Sequence, residues 1–215
     1  MEVINFAETP SLVSQYMSEL RDVNVQSDML RFRRNLERIG EIMAYEMSKR
    51  MRYKTVDVTT PLAVAPSQVL DEQVVLATIF RAGIPFHKGF LDYFDHAQNA
   101  FVSAYRKYRE KENFDVFIEY IASPRIDGKT LVIADPMLAT GSSMDLCYRA
   151  LLTKGEPAHV HVASIIASRS HMGRKPVTVT KEFHSKYEPS FTRTVELFTW
   201  EKLDAVPAVK EAFGL

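Results

Sequence analysis

Residues 130–144 read Thr-Leu-Val-Ile-Ala-Asp-Pro-Met-Leu-Ala-Thr-Gly-Ser-Ser-Met. Five residues with strand character, Thr130 to Ala134, run into an acid, Asp135. Then come Pro136, Met137 and Leu138, and a cluster of small residues with hydroxyls: Ala139, Thr140, Gly141, Ser142 and Ser143. A helical pattern follows in Met144, Leu146, Tyr148, Ala150, Leu151 and Leu152. At such a helix start, free backbone N–H groups and the positive end of the helix dipole converge, and an anion fits there. Gly141 permits close backbone approach. A carboxylate beside a phosphate site suits ribose hydroxyls or a metal. No Gly-Lys-Ser/Thr follows, so this is not a nucleoside-triphosphate loop, and no Gly-x-Gly-x-x-Gly suggests a dinucleotide fold. A strand-end acid followed by a small-residue loop is what a ribose 5-phosphate requires.

A second strand end carries the opposite charge. Val74 to Phe80 is almost wholly apolar, as expected of a strand buried on both faces of a parallel sheet, and it ends at Arg81-Ala82-Gly83. A helix is expected over about 84–94, then a strand from Phe101 to Tyr105, completing a βαβ unit. The charged stretch Arg106 to Asn113 joins that strand to another, Asp115 to Ala122, which predicts a projecting hairpin. Ala158 to Ala167 reads as a further strand. Helices are expected over 11–20 and 28–51. In the second, Phe32, Leu36, Ile39, Met43 and Met47 form one apolar face, with Ser27 as its N-cap. Its arginines, Arg31, Arg33, Arg34 and Arg38, mostly sit off that face and read as a solvated or subunit-contact surface. Alternating strands and helices predict an α/β fold with an open, mainly parallel sheet, in which ligands bind at the carboxyl ends of the strands.

The 215 residues suffice for one substantial domain. Its 27 basic and 27 acidic residues cancel, which argues against a general nucleic-acid or membrane-surface binder. The single cysteine, Cys147, excludes an intrachain disulfide and a cysteine zinc site, and reads as a small buried residue. His159 and His161 share one strand face, but no third metal ligand is evident. No signal peptide or spanning segment is expected, and the chain reads as cytoplasmic.

The run Asp135-Pro136-Met137-Leu138-Ala139-Thr140-Gly141 resembles the phosphoribosyl-pyrophosphate (PRPP) motif of the uracil phosphoribosyltransferases. These are type I phosphoribosyltransferases, typically with one acid at this strand end. Their motif usually continues Gly-Ser, where this chain has Ser142-Ser143. Arg81-Ala82-Gly83 resembles their Arg-Ala-Gly turn, Ala104-Tyr105-Arg106 their Tyr-Arg ahead of a flexible hood, and residues 19–45 their amino-terminal helices. The resemblance implies transfer of phosphoribosyl from PRPP to uracil, giving UMP and pyrophosphate. It implies that Asp135 grips the ribose, residues 139–143 hold the 5-phosphate, and Arg81 and Arg106 meet the pyrophosphate. Pro136, Met137 and Leu138 complete the PRPP motif. An unusual, cis, peptide at the Arg-Ala-Gly turn is implied, as are Mg²⁺ carried in with PRPP and a homodimer or higher homo-oligomer.

Similarity extends to about residue 168. The chain thus reads as a single phosphoribosyltransferase-like domain over 1–215: amino-terminal helices over 1–60, a core with the PRPP site over 61–168, and a divergent segment over 169–215. The family's base-reading motif, of the type Tyr-Ile-x-Pro-Gly-Leu-Gly-Asp-Ala-Gly-Asp, is not matched. Gly214 is the one glycine after Gly173. A strand is expected over Val195 to Thr199. No uracil-contacting residue is assigned, and Phe198 and Trp200 read as packing residues. Three readings stay open: a uracil enzyme with an altered base site, a phosphoribosyltransferase for another base, and a non-catalytic PRPP-binding paralogue or regulator. Without the glycine-rich segment, weak uracil turnover is expected.

Overall fold

The computed structural model describes residues 2–108, 114–138, 142–167 and 195–202. A short strand, β1 (Glu2–Asn5), and a 3₁₀ turn precede two helices, α1 (Leu12–Arg21) and α2 (Met29–Ser48). The N-cap of α2 is Asp28, not Ser27. Its carboxylate accepts from the backbone N–H of Leu30 at 3.1 Å and of Arg31 at 3.0 Å, satisfying two donors that the helix start leaves free. The predicted face of α2 is the buried one. Leu36, Ile39, Met43 and Met47 are enclosed and Phe32 is partly covered.

An antiparallel pair that the sequence did not announce follows, β2 (Tyr53–Thr59) and β3 (Val64–Leu70), forming its own two-stranded sheet. Its turn, with Leu62 97% exposed, spans the expected 60/61 border between the amino-terminal helices and the core. Then come β4 (Val74–Phe80), α3 (Gly83–Leu91), β5 (Gln98–Tyr108), β6 (Phe114–Ala122), β7 (Thr130–Ala134) and β8 (Met137–Leu138). The described chain continues with α4 (Ser142–Leu152), β9 (His159–Ala167) and β10 (Val195–Lys202). Eight of the described strands form one sheet in the order β1-β10-β9-β7-β4-β5-β6, with β8 added beside β9. All its pairings are parallel except β5 with β6, the predicted hairpin.

Two cores lie on opposite faces of this sheet. On one, Val74, Leu76, Val132 and Ala134 pack against α1, α2 and α3. On the other, Val75, Ala77, Ile79, Leu131 and Ile133 pack against α4. The alternation follows from the strand period of two, so both faces of β4 and β7 must be apolar, as their sequences are. Helices α2 and α3 cross closely at Gly40 and Gly89. A Cβ at Gly89 would overlap the Glu37 carbonyl oxygen, and one at Gly40 would come within 2.5 Å of the Phe86 carbonyl oxygen.

Ion pairs tie the arginine-bearing face of α2 to its neighbours. Arg31 reaches Glu19 on α1 at 3.3 Å and Arg38 lies over the Tyr16 ring of α1 at 5.3 Å, while Arg34 pairs at 2.5 Å with Glu37 of α2 itself, which in turn pairs with Lys88 of α3. Burial alone would raise the Glu37 carboxyl, but hydrogen bonds from Lys88 and Arg34 outweigh it and hold the group below its ordinary value. The expected solvated surface is therefore also a bracing surface.

Candidate active site

The chain leaves β4 by α3 on one face of the sheet and reaches β5. It leaves β7 by α4 on the other face and reaches β9. The two connections diverge from adjacent strands, and the carboxyl ends of β4 and β7 therefore border a topological switch point, where open α/β sheets form a crevice. Arg81-Ala82-Gly83 leads off one of these strands and Asp135 off the other. In the parallel register Thr78 stands opposite Ala134, so Asp135 follows one residue, and Arg81 three residues, beyond that pair on adjacent strand ends.

Three backbone contacts pin the segment after β7. The Asp135 N–H donates to the Ala163 carbonyl at 3.0 Å, and the Pro136 carbonyl accepts from Ile165 and Ile166 at 3.0 and 3.1 Å. Met137 and Leu138 then pair with Ile166 and Ala167 as β8. Pro136 and Leu138 are buried, and Met137 packs against the α2–α3 core. These three motif residues face the interior, so their part is to fix the path of the chain on either side of the acid. Helix α4 begins at Ser142, four residues after Leu138, with Ser143 half-buried in its first turn. Ala139, Thr140 and Gly141 lie outside the described residues, as does the side chain of Ser142.

Burial pushes the Asp135 carboxyl from its ordinary 3.8 up to about 7. The residue retains some solvent contact, and that hydration moderates the rise. Behind it, burial and then the Asp135 carboxyl push the Cys147 thiol upward, so Cys147 is an inert, enclosed thiol on α4.

The turn after β4 has its own supports. The Phe80–Arg81 peptide is cis, at the turn where the sequence implied one. Arg81 and Ala82 are exposed, and Gly83 is buried as the first residue of α3. The Thr78 hydroxyl donates to the Ala134 carbonyl at 2.7 Å, and a Cβ at residue 83 would overlap that hydroxyl oxygen. Glycine is thus required by a close approach. Thr78 was not among the predicted site residues. Its signal was a hydroxyl inside an otherwise apolar buried run, which must find an acceptor.

Arg106 lies on β5 opposite Val116 on β6, beyond the point where β5 leaves β4 at Ser103. The sequence put Arg106 in the charged segment that joins the hairpin strands, whereas β5 runs on to Tyr108 and carries it; its side chain, residues 109–113, and the side chains of Phe198 and Trp200 lie outside the described residues. Among the described residues, one group of three could hold a metal: Glu37, Glu41 and Asp92, between α2 and α3. Lys88 already bridges Glu37 and Asp92, so a cation stands there. His159 and His161 join no such group among the described residues.

The model of one family, "Uracil phosphoribosyltransferase", matches residues 7–186. The chain belongs to the uracil phosphoribosyltransferase family. Its match reaches eighteen residues beyond the limit expected from the motifs alone. A uracil phosphoribosyltransferase of Porphyromonas gingivalis is 62% identical over 169 residues, covering 79% of this chain and 78% of that protein. One from Methanothermobacter thermautotrophicus is 40% identical over 149 residues, 68% of each. The solved structure of a protein from Aquifex aeolicus superposes with a TM-score of 0.73 at 25% identity, over 93% of this chain and 86% of that one. The family assignment makes the protein a phosphoribosyltransferase, and PRPP-dependent chemistry is its class of reaction. Among the described residues, no helix is long and apolar enough to cross a membrane.

Proposed function

We propose that this protein transfers the phosphoribosyl group of PRPP to uracil, forming UMP and pyrophosphate in pyrimidine salvage. The observation that carries the reading is that Arg81 and Asp135 follow adjacent strand ends at the switch point, with the start of α4 seven residues after the acid. The family's relatives, so named at up to 62% identity among those cited, favour uracil over another base, and the expectation of weak uracil turnover yields to that likeness.

The reaction breaks the bond from C1 of the ribose to the pyrophosphate oxygen and forms one to a ring nitrogen of the base. Its transition state has oxocarbenium character, with charge building on the departing pyrophosphate. The protein's work is to position and to stabilise charge. Backbone N–H groups at the start of α4, with residues 139–143, hold the 5-phosphate. Asp135 accepts hydrogen bonds from the ribose hydroxyls, which favour its charged form and draw its pKa back down. Arg81 faces the leaving group, and Arg106 reaches it from the projecting arm.

Mg²⁺ enters as part of the substrate. Among the described residues at the ends of β4, β7 and β9, Asp135 is the one acid, too few ligands for a dedicated six-oxygen magnesium cage. Carried in with PRPP, the ion would lend its charge to the departing pyrophosphate, with Asp135 the nearby protein carboxylate. Residues 1–215 act as one phosphoribosyltransferase-like domain. A homodimer or higher homo-oligomer in the cytoplasm is the expected state.

Arg81→Ala tests the assignment. It is expected to lower turnover and PRPP affinity while sparing the affinity for ribose 5-phosphate, which lacks pyrophosphate. Calorimetry showing equal losses for both ligands would overturn the placement of Arg81.

A further inference from the structure

Phe80, the last residue of β4, stacks on Phe101 of β5, with ring centroids 5.1 Å apart and planes at 23°. The ring of His87 on α3 stands 5.2 Å from the same Phe101 ring. His87 Nε2–H donates to the Asn99 side-chain oxygen at 2.7 Å, and Asn99 also lies on β5. Burial pushes this imidazole's pKa below its ordinary value, and its Nδ1 has no hydrogen-bond partner among the described residues. A buried polar atom without a partner is costly, so the ring is held there by its other contacts.

These contacts bracket Arg81. Phe80 precedes it, and His87 lies one helical turn past Gly83, where α3 starts. Both ends of the Arg81–Ala82 connection are therefore tied to one ring of β5. That ring pair belongs to neither hydrophobic core, and both phenylalanines are only partly buried. Past Ser103, the last residue of β5 paired with β4, the register with β6 shifts between Ser103 and Ala104, and β5 runs on to Arg106. One strand thus roots the arm bearing Arg106 and buttresses the turn bearing Arg81.

We propose that Phe101 is a positioning residue for the transfer reaction: its ring, in contact with both Phe80 and His87, fixes the Arg81 turn relative to the arm that carries Arg106. This rests on the reading that Arg81 faces the pyrophosphate. Misplacement of a catalytic group by a fraction of an ångström lowers the rate without removing the substrate site.

The test is a cycle of Phe101→Leu, Arg81→Ala and the double variant, assayed for UMP formation and thermal unfolding, with Phe101→Tyr as the ring-retaining control. Phe101→Leu is expected to lower kcat on the order of tenfold to a hundredfold, with the KM for uracil unchanged. Phe101→Tyr should recover most of that loss, and the double variant should be no worse than Arg81→Ala. If Arg81→Ala is impaired but the Phe101→Leu loss adds to it in full, or if Phe101→Leu is silent, the positioning role is overturned and the reading of Arg81 survives. If Arg81→Ala turns over normally, the reading of Arg81 fails and the proposal with it. A Phe101→Leu chain that does not fold would make the ring pair structural and also overturn the proposal.

Discussion

The Thr78 hydroxyl donates to the Ala134 carbonyl at 2.7 Å, across the seam between the two strands that lead to Arg81 and to Asp135. This one bond sits a residue before the acid and three before the arginine. The buried hydroxyl needs the acceptor, the carbonyl lies at the last residue of β7, and Gly83 must lack a side chain for the hydroxyl to stay. A geometric constraint in the sheet is thereby passed to both sides of the crevice.

Gly83→Ala should disturb that seam. Alanine is the better helix former by up to about 1 kcal/mol, but its Cβ would displace the Thr78 hydroxyl and leave a buried polar group unpaired, at about 1–3 kcal/mol. A net loss of stability is expected, with a fall in kcat/KM on the order of tenfold or more. In a Thr78→Ala background the obstruction is gone, so Gly83→Ala should cost less there. Chemical denaturation of the four proteins measures this; strict additivity would contradict it.

Asp135→Asn should lose PRPP binding and gain stability at neutral pH. The folded-state pKa of about 7 lies above the ordinary 3.8. The stability attached to this proton is fully present below 3.8 and is lost as the pH rises through about 7, because the unfolded chain ionises freely while the folded one resists. The span corresponds to about 4 kcal/mol, reduced by the residue's partial contact with solvent. The Asn variant should therefore gain on the wild type from about pH 4 to about pH 7 and level off above that in denaturant midpoints. A constant difference over that range would show that Asp135 ionises normally.

Gly89→Ala should separate α2 from α3. The new methyl would overlap the Glu37 carbonyl oxygen and come within 2.8 Å of the Glu41 N–H nitrogen, both backbone atoms that cannot swing away. Overpacking of this kind costs about 1–3 kcal/mol, more than the helix propensity that alanine adds. A lowered thermal midpoint with nearly normal kcat in the surviving folded protein is expected. An unchanged midpoint would show that the helices yield freely.

Much of this was legible in the sequence because the relevant patterns are local. Val74–Phe80 and Thr130–Ala134 are continuous apolar runs with polar ends, and both strands have those limits. The βαβ unit and the β5–β6 hairpin follow from the same periodicity. The β2–β3 pair escaped because its residues are mostly exposed and do not alternate cleanly between apolar and polar. The cap of α2 was misplaced by one residue because Ser27 and Asp28 are both good caps, and only the path of the chain decides between them. At the site, Asp135, Arg81 and Gly141 announce themselves by chemistry at a strand end or loop. Thr78 shows only that its hydroxyl needs an acceptor, and Phe101 and His87 show nothing, since the meaning of all three lies in who stands opposite them across the sheet, and register between distant strands is not written in either strand alone.

The central claim is transfer of phosphoribosyl to uracil, and the direct measurement is UMP formation from labelled uracil, PRPP and Mg²⁺, with Asp135→Asn alongside. Turnover on the order of 1 per second or faster by the wild type, abolished or nearly so in the variant, is the predicted result. Undiminished binding of PRPP with no UMP formed from uracil would contradict it.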